Sequence, residues 1–114
     1  MSREQASAGA EVGCDPVLAL KALAHPLRFR LFTLLASGEK CVCDLVDGVD
    51  ASQPLVSHHL SVLKKARLVT DRQDATWNYY SIDTRRWNEV RDALLEIQPS
   101  QAPAAPCPPE DPAR

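Results

Sequence analysis

Two cysteines separated by a single residue, Cys41 and Cys43, have the clearest chemical potential in this chain. Thiolates bind metals, and soft sulfur ligands favour soft ions over hard ones. Both cysteines fall at the predicted start of a short helix, where the helix dipole lowers the pKa of a thiol. The pair is therefore a candidate site for a soft, thiol-binding cation. Two small side chains that merely pack at a helix start would give the same pattern.

The other cysteines, Cys14 and Cys107, are candidates to complete such a site. Cys14, just before the first predicted helix, is the better third ligand, from the same or a partner subunit. Cys107 lies in a proline-rich tail and is expected to be an incidental exposed cysteine. We expect free thiols in a reducing compartment, and Cys41 and Cys43 are too close in sequence for a relaxed mutual disulfide.

A segment downstream of the cysteine pair has the pattern of a DNA-reading helix. Ser52 is a predicted N-cap, and Val56, His59, Leu60 and Leu63 form the predicted inward stripe. Glutamine can pair bidentately with adenine, serine or histidine can donate to bases or phosphates, and a helix N-terminus suits a phosphate. The basic residues nearby are candidates for phosphate contacts. The predicted DNA-binding residues are Ser52, Gln53, Ser57, His58, Ser61, Lys64, Lys65 and Arg72.

The paired histidines are expected to have different roles. Adjacent helical residues lie about 100° apart, so His58 and His59 cannot easily chelate one ion. His59 falls on the apolar stripe and is predicted to be a hydrogen-bonded core residue, whereas His58 faces outward and is predicted to contact DNA.

The cysteine spacing suggests how a bound ion could act on that helix. Residues i and i+2 lie about 200° apart in a helix but share one face in an extended segment. If residues 41–43 are helical, joint binding by Cys41 and Cys43 requires the first helical turn to unwind. An effector releases DNA only if it binds the DNA-incompetent state more tightly, and a coupling of about 3 kcal/mol would weaken DNA binding roughly 100-fold.

The remaining elements give the order α-α-α-α-β-β-α, which predicts a winged helix-turn-helix of the mainly helical α+β class. Asp15-Pro16 begins a short apolar helix with Val17, Leu20 and Leu23. His25-Pro26 separates it from a second helix, which ends at Gly38. A third helix carries Val42, Leu45, Val46 and Val49. Residues 69–72 and 77–82 predict a hairpin, and Thr84 starts a last helix with Trp87, Val90, Leu94 and Ile97 on one side.

The 114 residues suit one domain, which we place at residues 14–97, between a flexible N-terminus (1–13) and a disordered proline-rich tail (98–114). The net charge of −2 does not indicate nucleic-acid binding, but residues 53–86 hold six basic and three acidic residues, a local +3. No apolar run is long enough to span a bilayer and no signal sequence is evident, so a cytoplasmic protein is expected.

Several spaced motifs closely resemble the ArsR/SmtB family of metal-responsive bacterial repressors. They are Leu23-Ala24-His25-Pro26-Leu27-Arg28, Cys41-Val42-Cys43-Asp44-Leu45, Ser52-Gln53-Pro54 with Val56-Ser57, His59-Leu60 and Leu63, and Leu68-Val69 with Arg72, Trp77 and Tyr80. The resemblance implies a homodimeric winged helix that pairs through its first and last helices, binds double-stranded operator DNA and represses a resistance operon until a toxic ion binds.

Within that family the cysteine box looks most like the arsenite/antimonite sensors, so arsenite or antimonite is the expected effector, with no organic cofactor. Those sensors commonly have a third cysteine where this chain has Val46. Cadmium/lead sensors share the box but usually have more N-terminal cysteines than Cys14 alone. The family's zinc-type site is absent, because residues 84–97 contain no histidine. The wing turn at residues 74–76 lacks the family's usual glycine.

Two other classes of function remain open: a thiol redox switch or oxidoreductase that uses Cys41 and Cys43, and a DNA-binding module without any effector. Enzymatic catalysis has little support, because no carboxylate pair, nucleophile–base set or phosphate loop can be placed.

Overall fold

The computed structural model describes residues 15–107, in which a small antiparallel sheet packs beside a group of helices. The expected mainly helical winged helix-turn-helix is confirmed, with one additional short strand after the second helix. The elements are α1 (Pro16–Leu23), α2 (Pro26–Leu35), β1 (Lys40–Cys41), α3 (Val42–Asp47), α4 (Gln53–Lys65), β2 (Val69–Asp74), β3 (Trp77–Ile82) and α5 (Thr84–Leu95).

The helix starts are set by side chains that accept a backbone N–H, followed in three cases by proline in the first turn. The Asp15 carboxylate accepts from the N–H of Val17 at 3.0 Å. The Nδ1 of His25 accepts from the N–H of Leu27 at 3.1 Å, which confirms the predicted break at His25. Ser52 caps α4, as its position before the apolar stripe predicted.

The sheet has the order β1-β3-β2, with every pair antiparallel. The turn between β2 and β3 has two residues, and Ala75 adopts φ 57°, a left-handed conformation that glycine would enter at lower cost. Strand β1, at two residues, is too short to leave a periodic pattern, so the sequence did not predict it. It pairs Cys41 with Tyr79 and thereby fixes the first cysteine to the wing.

The core lies between α2, α4 and the sheet. In the first helix, Ala19 and Ala22 are buried together with Leu23, whereas Val17, another residue of the predicted apolar set, is 55% exposed. Small alanine side chains allow α1 to approach its neighbours closely, a packing that leucine periodicity does not reveal. The fully buried large side chains are Leu31, Leu45, Val56, Leu60, Leu63, Leu68, Val69 and Val90.

The last helix contributes only part of its predicted apolar side to this core. Val90 is fully buried and Trp87 packs edge-on against Phe32, but Leu94 and Ile97 are exposed and α5 ends at Leu95. Residues 98–107 are exposed and contain no helix or strand. Residues 1–14, including Cys14, and residues 108–114 lie outside the described residues. Between residues 15 and 107, no helix has the length and hydropathy to cross a membrane.

Candidate functional site

Cys41 lies at the junction between the wing and α3. It is the last residue of β1 and the N-cap of α3, with φ −75° and ψ 160°, and its side chain is buried. Its sulfur accepts the backbone N–H of Asp44 at 3.3 Å. The cysteine therefore does the work that serine or aspartate does at other helix starts.

The two cysteine side chains lie together, and the structure joins Cys41 to Cys43 by a disulfide, with their Cα atoms 5.3 Å apart. Two expectations from the sequence are therefore wrong: that these thiols are free, and that one intervening residue prevents a bond between them. The reason is the extended backbone at Cys41. It places residue 41 outside the helix, so the helical separation of residues i and i+2 does not apply.

The same geometry removes the proposed unwinding step. Because Cys41 precedes the first helical residue, Val42, both sulfurs meet beside an intact α3. A ligand that bridges the reduced sulfurs has no need to open the first helical turn. Any effect of such a ligand on DNA binding must come from another route.

Asp44 is a third potential ligand beside the sulfurs. One ligand atom from each of Cys41, Cys43 and Asp44 lies within 4.8 Å of the other two. After reduction, two thiolates and a carboxylate fit a soft cation that prefers sulfur. Cys107 is exposed and forms no disulfide, and the position of Cys14 lies outside the described residues.

The exposed Cys43 borders a cleft of about 290 Å³ between α3, the first turns of α4 and the tip of the wing. Gln53 and Ser57, two of the predicted base-reading residues, form the α4 side of this cleft. The other lining residues are Val42, Thr76, Trp77 and Asn78. The cysteine pair and the predicted DNA-reading residues therefore share one surface.

The outward side of α4 has the arrangement that the sequence predicted. Ser52, Gln53, Ser57 and His58 are exposed, and Ser61 is half-buried. The inward residues of that helix are all buried. The first turns of α4 thus present polar side chains to solvent, which is the arrangement needed to enter a groove.

Two of the three predicted phosphate-binding residues are engaged with carboxylates. Lys64 forms an ion pair with Asp71 at 2.9 Å. Arg72 donates to both carboxylate oxygens of Glu39 at 2.8 Å and lies over the ring of Tyr79, whereas Lys65 is exposed. The hydrogen bond from Arg72 lowers the pKa of Glu39. The segment before β1 thus brings an acidic residue, Glu39, to the wing that the sequence did not identify.

The core histidine, His59, links α4 to the first two helices. The Nδ1 of His59 lies 3.0 Å from a guanidinium nitrogen of Arg28, which can only donate, so Nδ1 is the acceptor. The ring of His25 lies 4.4 Å from that of His59, and the ring of His58 lies 5.1 Å away. The prediction of a buried, hydrogen-bonded His59 is confirmed.

This cluster makes the fold sensitive to acid. Burial, followed by the charges of His25, Arg28 and His58, lowers the pKa of His59 below its usual 6.5. The unfolded chain therefore takes up a proton at higher pH than the fold, and stability present above 6.5 is lost as pH falls. We expect the free energy of unfolding, measured with urea, to fall on acidification from about pH 7.5 to about pH 5.5. His59→Gln retains an acceptor for Arg28 and should reduce that dependence.

The exposed neighbour provides the control for that measurement. His58→Gln removes a histidine of the same cluster and should leave most of the acid-dependent loss in place. Equal pH profiles for the wild type and His59→Gln would contradict the assignment.

Comparison with known proteins identifies the family to which this fold belongs. Residues 25–71 match the model of the bacterial regulatory proteins of the arsR family. The chain belongs to the ArsR family. It is 44% identical over 78 residues to an uncharacterised HTH-type transcriptional regulator from Methanocaldococcus jannaschii, covering 68% of this chain and 88% of that protein. It is 39% identical over 81 residues to an arsenical resistance operon repressor from Staphylococcus aureus, covering 71% and 78%.

Solved structures of ArsR-family regulators have the same fold. A possible transcriptional regulator for arsenical resistance aligns with TM-score 0.64 and 38% identity, covering 69% of this chain and 82% of that one. A possible ArsR-family regulator from Mycobacterium bovis, described as a homodimeric winged helix-turn-helix DNA-binding domain, aligns with TM-score 0.60 and 30% identity, covering 71% and 74%. The protein described by this structure is therefore a DNA-binding transcriptional repressor and not an enzyme.

Proposed function

We propose that this ArsR-family repressor responds to arsenic(III) or antimony(III), which bind the reduced thiolates of Cys41 and Cys43 and release the protein from operator DNA. The observation that carries the proposal is the juxtaposition of the two sulfurs beside the cleft that contains Gln53 and Ser57. Similarity to the arsenical resistance repressor from S. aureus supports the choice of ion. Cys14 remains a candidate third ligand.

DNA recognition is assigned to the outward side of α4 and to the wing. Gln53, Ser57, His58 and Ser61 are proposed to meet base edges or phosphates in the major groove, and Ser52, exposed at the start of the helix, is proposed to lie near a phosphate. Lys65 is exposed and is proposed to contact a DNA phosphate directly. Lys64 and Arg72 must first exchange Asp71 and Glu39 for phosphates, which exposed ion pairs can do at little cost.

The proposed route of release is local, because the ligand site and the reading site share a surface. An effector that occupies Cys43 alters the shape and charge of the cleft in which Gln53 and Ser57 lie. Operator DNA and effector then favour different forms of one surface. Each reduces the affinity of the other, as reciprocal coupling requires.

The active species is proposed to be a cytoplasmic homodimer that pairs through α1 and α5. Exposed apolar side chains on or just after these helices support this assignment: Val17, Leu18, Leu94, Leu95 and Ile97. The guanidinium of Arg86 donates to the backbone carbonyl of Asp15 at 2.7 Å and joins the start of α5 to the start of α1. The two helices can therefore present one continuous surface to a second copy.

The experiment is release of a labelled promoter fragment by the reduced protein, titrated with arsenite, antimonite, cadmium, lead and zinc. Arsenite and antimonite are expected to release DNA at the lowest concentrations, because two adjacent thiolates suit these ions and zinc prefers a four-ligand site. Release by cadmium or lead alone would replace the proposal with the cadmium/lead sensor. Release by none of the five would reject an ion-responsive repressor.

The disulfide favours a second candidate, a thiol redox switch. Cys41 and Cys43 would each lose one hydrogen to a peroxide, and the two sulfurs would bond. Hydrogen peroxide would be reduced to two water molecules, and an organic peroxide to one alcohol and one water. Addition of hydrogen peroxide to the ion-free protein separates the candidates. Release by peroxide without any response to arsenite would support the redox switch instead.

A further inference from the structure

We propose that a low-molecular-weight monothiol completes the coordination of the ion at Cys41 and Cys43 and occupies the cleft beside Gln53 and Ser57. This inference rests on the proposed function and names the form in which the effector acts. A trivalent arsenic ion has three valences, and soft ions favour sulfur for each of them. Within residues 15–107, two sulfurs lie together at this site.

The space beside Cys43 suits such a ligand. Cys41 is 7% exposed and closed off by the wing, whereas Cys43 is exposed and borders the cleft. A volume of about 290 Å³ is large enough for the thiol-bearing part of a small, hydrophilic molecule. Gln53, Ser57, Thr76 and Asn78 offer hydroxyl and amide groups to it, and an indole forms one wall.

One residue that lines the cleft carries a buried polar atom without a hydrogen-bond partner among residues 15–107. The side-chain oxygen of Asn78 is buried and accepts no hydrogen bond in the described part of the chain. A buried acceptor without a donor costs free energy that a polar ligand or water can recover. The residue that carries this atom also lines the cleft.

The complex of protein, arsenic and monothiol forms without any change in the oxidation state of arsenic. The Cys41–Cys43 disulfide is first reduced by two monothiol molecules, which become one disulfide. The two protein thiols and one further monothiol then give three protons to the three hydroxyls of arsenous acid, form three S–As bonds and release three water molecules. A single class of small molecule therefore both opens the site and completes it.

The same arrangement strengthens the effect on DNA. An ion held by two sulfurs alone would add a small group beside α4. A thiol adduct fills the cleft and carries its own polar or charged groups to the surface on which Gln53 and Ser57 are exposed. The monothiol and the ion therefore each strengthen the binding of the other to the protein, and both compete with DNA for this surface.

The test measures arsenite binding by the full chain, followed by the ultraviolet S–As absorption. The protein is kept reduced with a phosphine, which supplies no thiol, and glutathione is added as the monothiol probe. We expect glutathione to tighten arsenite binding roughly tenfold, within the range of coupled ligands. Native mass spectrometry should detect a one-to-one-to-one complex of chain, arsenic and glutathione.

Variants separate the monothiol from a third protein ligand and from the function itself. Thr76→Phe narrows the cleft and should abolish the gain from glutathione, whereas Thr33→Phe, at an exposed position on α2, should retain it. Tight arsenite binding that is indifferent to glutathione and is lost in Cys14→Ser would overturn the inference, with the ion-responsive repressor intact. Absence of arsenite binding with or without glutathione would reject the proposed function itself.

Discussion

Cys41→Ser and Cys43→Ser are each expected to bind operator DNA as the wild type does and to lose its release by arsenite. One thiolate cannot hold the ion as two do, because both S–As bonds are needed to compete with water and with free thiols. The arsenite concentration for half-release should rise at least about 100-fold, which corresponds to a coupling of roughly 3 kcal/mol. Titration of a labelled promoter fragment under reducing conditions measures this change.

Serine is the informative replacement because it preserves the fold around Cys41. The cysteine sulfur accepts the N–H of Asp44 as an N-cap, and a serine hydroxyl makes the same contact in α4 at Ser52. Loss of response can therefore be separated from loss of the helix start. Cys107→Ser, at an exposed free cysteine, is the matched control and should respond normally. A normal response from Cys41→Ser would end the proposal of a paired-cysteine sensor.

The helices of this fold could be predicted because their starts and apolar stripes are local signals. Asp15 and Ser52 cap helices as their positions before proline or before an apolar stripe indicated, and the predicted break lies at His25. The inward side of α4 followed from a 3.6-residue period, and it correctly separated the buried His59 from the exposed His58.

The errors at the cysteine pair arose because a strand of two residues has no sequence period. Strand β1 depends on hydrogen bonds from β3, whose residues lie about 40 positions later. Those contacts extend the backbone at Cys41 and bring its sulfur to Cys43. The sequence drew attention to the two cysteines, but their relative geometry is a tertiary property.

The wing pairs and the cleft could not be predicted for the same reason. Glu39 reaches Arg72 across a sequence separation of 33 residues, and no local pattern joins them. Trp77 and Thr76 meet Gln53 only after the hairpin folds back towards α4. Asp44 is different: its position directly after the second cysteine was a signal for a third ligand that could have been used.

Substitution of charged residues into the exposed apolar surface of α1 and α5 is expected to convert the repressor to a monomer. Leu18 is 47% exposed and Leu95 is 61% exposed, and the proposed second copy would cover both. The double change Leu18→Glu/Leu95→Glu places like charges from both subunits in one interface, which two-fold symmetry doubles. Sedimentation should detect a monomer. Operator affinity should fall about 100-fold or more, because linked binding of two half-sites is lost.

Phe29→Glu is the matched control, since Phe29 is also a large apolar residue, 56% exposed, but lies on α2. It should remain dimeric and bind operator with nearly wild-type affinity. Thermal unfolding of all variants distinguishes dissociation from misfolding, because exposed positions contribute little to the core. A double variant that stays dimeric would assign the interface to other surfaces. If the Phe29→Glu variant were also monomeric, the dimer interface would have to include surfaces other than α1 and α5.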